Sequence, residues 1–121
     1  MGRPKPDLER STFYPEIKTA TIAVATSATD SAAVDLDGMH LFAIETPATL
    51  TGTSLTFKVS ADNSTFTGLY DDTGTQYSVT VAASRVIYLD PSKFAAFQYL
   101  KLISGSTEAA DRTFTLYTRA V

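Results

Sequence analysis

Apolar and polar residues alternate in short runs along most of this chain, and each run stops at residues that turn the backbone. In residues 54–60, Leu55, Phe57 and Val59 fall on one face and Ser54, Thr56, Lys58 and Ser60 on the other. A strand sends successive side chains to opposite faces, so this is the period of a half-buried strand. The same alternation marks residues 19–25, 76–82, 98–104 and 112–120. Residues 33–37, 40–45, 67–71 and 85–89 are shorter apolar runs of the same kind. Between them stand Asp37-Gly38, Asp62-Asn63-Ser64 and the sequence Asp71-Asp72-Thr73-Gly74. Asp, Asn and Ser turn the chain through local hydrogen bonds, and Gly takes positive φ without steric cost. Asp90-Pro91 has the pattern of a helix N-cap followed by proline at the first helical position, with room for a short helix only. No segment sustains a helical period. The expectation is an all-β, two-sheet antiparallel sandwich of about eight or nine short strands.

A chain of 121 residues fits one domain with a core of its own. It has no cysteine, which removes disulfides and thiolate metal sites from consideration. The formal net charge is −3, and the ten Lys and Arg residues are scattered. Nucleic-acid binders usually carry a basic stripe, so neither nucleic acid nor a membrane surface is the expected partner. No apolar run is long enough to cross a bilayer as a helix. Residues 1–16 are polar and proline-spaced, unlike a secretory signal.

Residues 1–17 form a unit of their own, an extended N-terminal arm ahead of a sandwich domain at 18–121. Pro4, Pro6 and Pro15 favour extended backbone, and the charges alternate in sign. The arm nevertheless carries Leu8, Phe13, Tyr14 and Ile17. These side chains require a surface to lie on, either this domain or a neighbouring subunit, and are the candidate partner-binding residues.

Catalytic readings are weak. His40 is the only histidine, and no Gly-x-Ser-x-Gly elbow accompanies it. A glycosidase needs only two carboxylates, and Asp35, Asp37, Glu45, Asp62, Asp71, Asp72, Asp90, Glu108 and Asp111 are available. Most adjoin turn residues, and there is no Trp to stack on a sugar. Asp35-x-Asp37-Gly38 opens like a calcium loop, but no glutamate follows at the spacing an EF-hand requires. The glycines stand alone in separate turns, so no phosphate loop is present. No cofactor is expected, and the chain reads as a binding or assembling protein rather than an enzyme.

Two stretches resemble a known family. Residues 55–66 (LTFKVSADNSTF) lead into 69–74 (LYDDTG), and residues 84–94 (SRVIYLDPSKF) lead into 98–105 (QYLKLISG). Together they resemble small proteins encoded among the structural genes of tailed phages and prophages, over roughly residues 18–121. The resemblance implies a jelly-roll-like sandwich that coats or cements a capsid, often as a trimer, with the major capsid protein as partner. It implies synthesis in the host cytoplasm and residence on the virion surface. The Tyr99-Leu100-Lys101-Leu102 strand also resembles galactose-binding jelly rolls, which makes a carbohydrate- or host-surface-binding module of a tail or fibre the alternative.

Overall fold

A computed structural model describes residues 16–120. Nine strands form two antiparallel sheets: β1 (Glu16–Ile22), β2 (Val34–Asp35), β3 (His40–Glu45), β4 (Ser54–Ser60), β5 (Thr67–Gly68), β6 (Ser78–Thr80), β7 (Val86–Tyr88), β8 (Tyr99–Ser104) and β9 (Arg112–Arg119). One sheet has the order β1-β9-β3-β7, and the other has β2-β8-β4-β5 with β6 also on β4. A 3-10 turn, Pro91–Lys93, is the sole helical element among the described residues.

The topology is that of a jelly roll. β5 and β6 pair with opposite halves of β4, at Lys58–Val59 and Ser54–Thr56 respectively. They are one strand interrupted by the excursion 70–76, which leaves and rejoins the same edge. Leu69 N donates to Phe57 O, and Tyr77 N then donates to Leu69 O as the chain returns. With that strand counted once, each sheet has four strands, and every connection crosses to the other sheet except the β4–β5 turn. Such crossing is how two sheets are knitted into a double Greek key.

Burial follows the alternation. Leu55 and Phe57 of β4, Leu100 and Leu102 of β8, and Phe114 and Leu116 of β9 are fully buried. Phe57, Tyr77 and Phe94 form an aromatic cluster with centroids 5.1–5.7 Å apart. It ties the returning half of the interrupted strand and the 3-10 turn onto β4.

The turns form as their residues dictate. Asp37 and Gly38 both take positive φ, 55° and 74°, and Met39 N donates to Leu36 O. Positive φ at both central positions gives the tight turn whose twist suits a two-residue hairpin loop. Asp71 Oδ1 accepts from the backbone of Thr73 and Thr75, and Gly74 sits at φ 87°. Asp90 caps the 3-10 turn by accepting from Ser92 N. β1 begins at Glu16, so Glu16 and Ile17, which the sequence groups with the arm, are paired to Thr118 and Tyr117 of β9. Thr118 Oγ1 donates to the Glu16 carbonyl at 2.8 Å and holds that strand end in place.

One acid lies in the core. Glu108 is 2% exposed and accepts four hydrogen bonds: from Thr51 N, Gly52 N, Ser104 Oγ and Arg112 Nε, at 2.7–2.8 Å. The same Arg112 donates to Thr51 Oγ1. The carboxylate therefore clamps the β3–β4 connection to the β8–β9 connection. Position 52 must be glycine, since a Cβ there would collide with Ser104 Oγ and crowd Glu108. Burial alone pushes the carboxyl pKa up. The bonds from Arg112, Thr51, Ser104 and Gly52 outweigh it and lower the value from 4.5 to about 2.

This carboxyl has a lower pKa folded than unfolded, so its ionised form stabilises the fold above the unfolded value. That contribution falls away as pH drops from about 5 toward about 2. A shift of this size is worth about 3 kcal/mol. Glu108→Gln is expected to lose roughly that much at pH 7, measured by urea unfolding, and to flatten the acid limb of the stability profile. An unchanged midpoint at pH 7 would mean that the clamp is not a stabilising element.

Candidate functional site

The outer face of the β1-β9-β3-β7 sheet is the candidate site. In register across its four strands lie Ile17, Tyr117, Ala43 and Tyr88. The next row is Thr19, Thr115, Glu45 and Val86. The inner rows contain Ala20, Phe114, Leu116 and Ile44, all buried, so the apolar residues of the first two rows face solvent by strand parity.

The exposure is unusual for side chains of this size. Tyr88 is 86% exposed, Val86 61% and Ile17 52%. Three of the five large exposed apolar residues of the described chain therefore share one face. Val86 and Tyr88 sit on one edge strand and Ile17 on the other, joined in register by the half-buried Tyr117 and Ala43, and such a row marks a place where another molecule can dock.

Polar groups set the character of the remainder. Tyr117 donates its hydroxyl to Glu45 Oε1 at 2.6 Å, joining the two rows. That bond, with burial and the carboxylate charge adding to it, pushes the Tyr117 hydroxyl pKa up. Thr21 and Thr113 share a hydroxyl hydrogen bond at 2.9 Å farther along. The face is apolar at both edges, threonine-lined in between, and low in charge, so covering it desolvates few ions. β7 is an edge strand, and neither proline nor lysine lies within its three residues to block pairing with another chain.

Of the sequence-derived site residues, Ile17 lies on this face. Leu8, Phe13 and Tyr14 lie outside the described residues. Val86 and Tyr88 were not legible as site residues. The run Val86-Ile87-Tyr88 is apolar throughout, so alternation alone does not say which side is buried. The missing information was the pairing of β7 with β3, which turns Ile87 inward.

All of the candidate acids except Asp72 have structural partners among the described residues. The Asp62 carboxyl pKa is lowered chiefly by backbone N–H bonds from Thr65 and Ser64, and those of Asp71 and Asp90 chiefly by the hydroxyls of Thr73 and Ser92, with backbone N–H bonds in their own turns adding to them. Asp35 accepts from Asp37 N, Asp37 pairs with Lys18 at 2.7 Å, and Asp111 accepts from Val24 N. No cluster of three or more His, Cys, Asp or Glu side chains suited to a metal ion exists among the described residues. His40 opens β3 opposite Arg119.

No helix among the described residues is long and apolar enough to cross a membrane. Neither a protein-family model nor a curated protein matches the chain.

The two faces of the sheet should respond oppositely to substitution. Val86→Ser with Tyr88→Ser should change unfolding free energy by less than about 0.5 kcal/mol per site, as for solvent-facing positions. Ile44→Ala, on the inner face of the adjacent strand, should cost about 2–5 kcal/mol. Urea unfolding of the two variants makes the comparison. A large loss from the serine pair would show that this face is part of the core.

Proposed function

We propose that this chain is a virion structural protein, a decoration or cement protein bound to the capsid of a tailed phage. It docks on the major capsid protein through the outer face of the β1-β9-β3-β7 sheet. The observation that carries this reading is the row from Ile17 on β1, the strand that follows the N-terminal arm in sequence, across to Tyr88 on β7, exposed at both ends. If fully extended, the fifteen residues ahead of Glu16 would reach at most about 50 Å, enough to lie on an adjacent subunit. Leu8, Phe13 and Tyr14 supply the apolar anchors there. Many modest contacts of this kind gain strength when several copies bind one repeating lattice. A trimer suits the three-fold positions of a capsid. The chain performs no chemistry in this role, uses no cofactor, and contacts neither nucleic acid nor membrane.

Cosedimentation with heads assembled from the major capsid protein of the same genome tests the proposal. The full chain is expected to pellet with the heads. The Val86→Ser/Tyr88→Ser variant and a chain lacking residues 1–15 are each expected to bind at least ten-fold more weakly while remaining folded. Light scattering should give the mass of a trimer. Failure of the full chain to pellet would overturn the capsid reading. Undiminished binding by the serine variant would overturn the assignment of the docking face.

A further inference from the structure

A second surface, on the opposite sheet, has the chemistry of a ligand site. β4 and β8 are the central strands of that sheet, and their register places Lys58 directly opposite Lys101 on its outer face. Like charges in direct cross-strand opposition are destabilising. Lys58 is compensated by Asp30 at 3.3 Å. Lys101 forms no ion pair among the described residues. Its ammonium lies 4.5 Å from the centre of the Phe66 ring, an attraction that leaves the positive charge unneutralised.

Lys101 and Phe66 both line an open cleft of about 490 Å³. The β1–β2 connection forms one wall and the β4–β5 connection the other. Thr26, Asn63 and Ser64 also line it, and none of their side chains makes a hydrogen bond to the described protein. Asp30, the one acid in the lining, is already held by Lys58 and by Thr29 Oγ1. The cleft thus combines a cation without an acidic partner among the described residues, an aromatic wall, alanines in the facing wall, and hydroxyl and amide groups with unused bonding capacity. Its size lies within the range of small-molecule sites.

From this juxtaposition we infer that the cleft binds an acidic saccharide, a sugar ring bearing a carboxylate. The carboxylate would pair with Lys101, whose charge is local and positive in a chain of net charge −3. The ring hydroxyls match the amide of Asn63 and the hydroxyls of Thr26 and Ser64, which donate and accept. The apolar face of the ring lies against Phe66 and the alanines. A ligand carboxylate at Lys101 would complete the compensation of an opposed lysine pair in which only Lys58 has an acidic partner among the described residues. Of the docking face only Thr21 lines the cleft, and Ile17, Val86 and Tyr88 do not, so the inference stands or falls independently of the capsid reading.

Amide-resolved NMR titration of the full chain tests it, with 3′-sialyllactose and a hyaluronan tetrasaccharide as acidic probes, and lactose and inorganic phosphate as controls. At least one acidic saccharide is expected to shift residues Thr26, Asn63, Ser64, Phe66 and Lys101 selectively. Lactose and phosphate should each bind at least ten-fold more weakly. Lys101→Gln should weaken the acidic probe at least ten-fold, and Lys101→Arg should retain most of the binding. Removing one of two opposed lysines relieves repulsion, so the glutamine variant should keep its fold. Asn63→Ala, in an exposed turn, gives a second reading of the same site. Silence of the cleft toward both acidic saccharides overturns the inference. So does equal binding of lactose, equal binding of phosphate, or undiminished binding by Lys101→Gln.

Discussion

A single buried carboxylate organises one end of this sandwich. Glu108 lies in a connection rather than a strand, yet it is among the least exposed side chains in the molecule. Its two oxygens collect donors from the β3–β4 connection, from the end of β8 and from the start of β9. A buried acid is costly unless every lone pair is used and a counter-charge is near. Here both conditions hold, and the result is directional in a way that apolar packing is not. Gly52 N and Thr51 N must point at the carboxylate, which fixes where β4 begins. Arg112 must turn inward at the first residue of β9, which fixes the register of the strand at the centre of the other sheet.

That fixation matters because the fold has little local structure to guide it. Each crossing connection brings together strands distant in sequence, and β9 pairs with both β1 and β3. Closing such loops has to precede the reward from packing, which makes folds of this kind slow to form. An element that admits one register only, and penalises the others by stranding an ion, narrows the alternatives. The aromatic cluster of Phe57, Tyr77 and Phe94 acts on the other sheet, where the interrupted strand has only short stretches of pairing to hold it.

The sequence was most legible where one face is apolar and the other polar. Ser54–Ser60 begins and ends in the structure where its alternation places it, and His40–Glu45 where its apolar run and the flanking Asp37-Gly38 and Pro47 place it. The Asp37-Gly38 turn and the Asp90 cap were equally readable, since each depends on local chemistry alone. The runs at 67–71 and 85–89 shrink to two and three paired residues. Their extent is set by the neighbouring strand, and sequence carries no direct record of that neighbour. The same limit hid the docking face, because Val86, Ile87 and Tyr88 are all apolar and only their pairing distinguishes them. Glu108 was visible as a candidate acid, but nothing around it in sequence says that Thr51 and Gly52 meet it from more than fifty positions away.

The interruption between β5 and β6 gives this domain a place where chain length can change at little cost to the sheets. The chain departs from the edge of β4 after Leu69 and comes back at Tyr77, with the Leu69–Tyr77 hydrogen bond closing the neck. Whatever lies beyond that neck is not counted in the register of either half-strand. Residues can be gained or lost around Asp72 and Thr73 without shifting a single inward-facing side chain. A lineage carrying this fold would therefore be free to diversify at that tip while the sandwich stayed constant. For the same reason the tip is a natural insertion point for foreign peptides, held clear of both sheets on a stem that the aromatic cluster anchors.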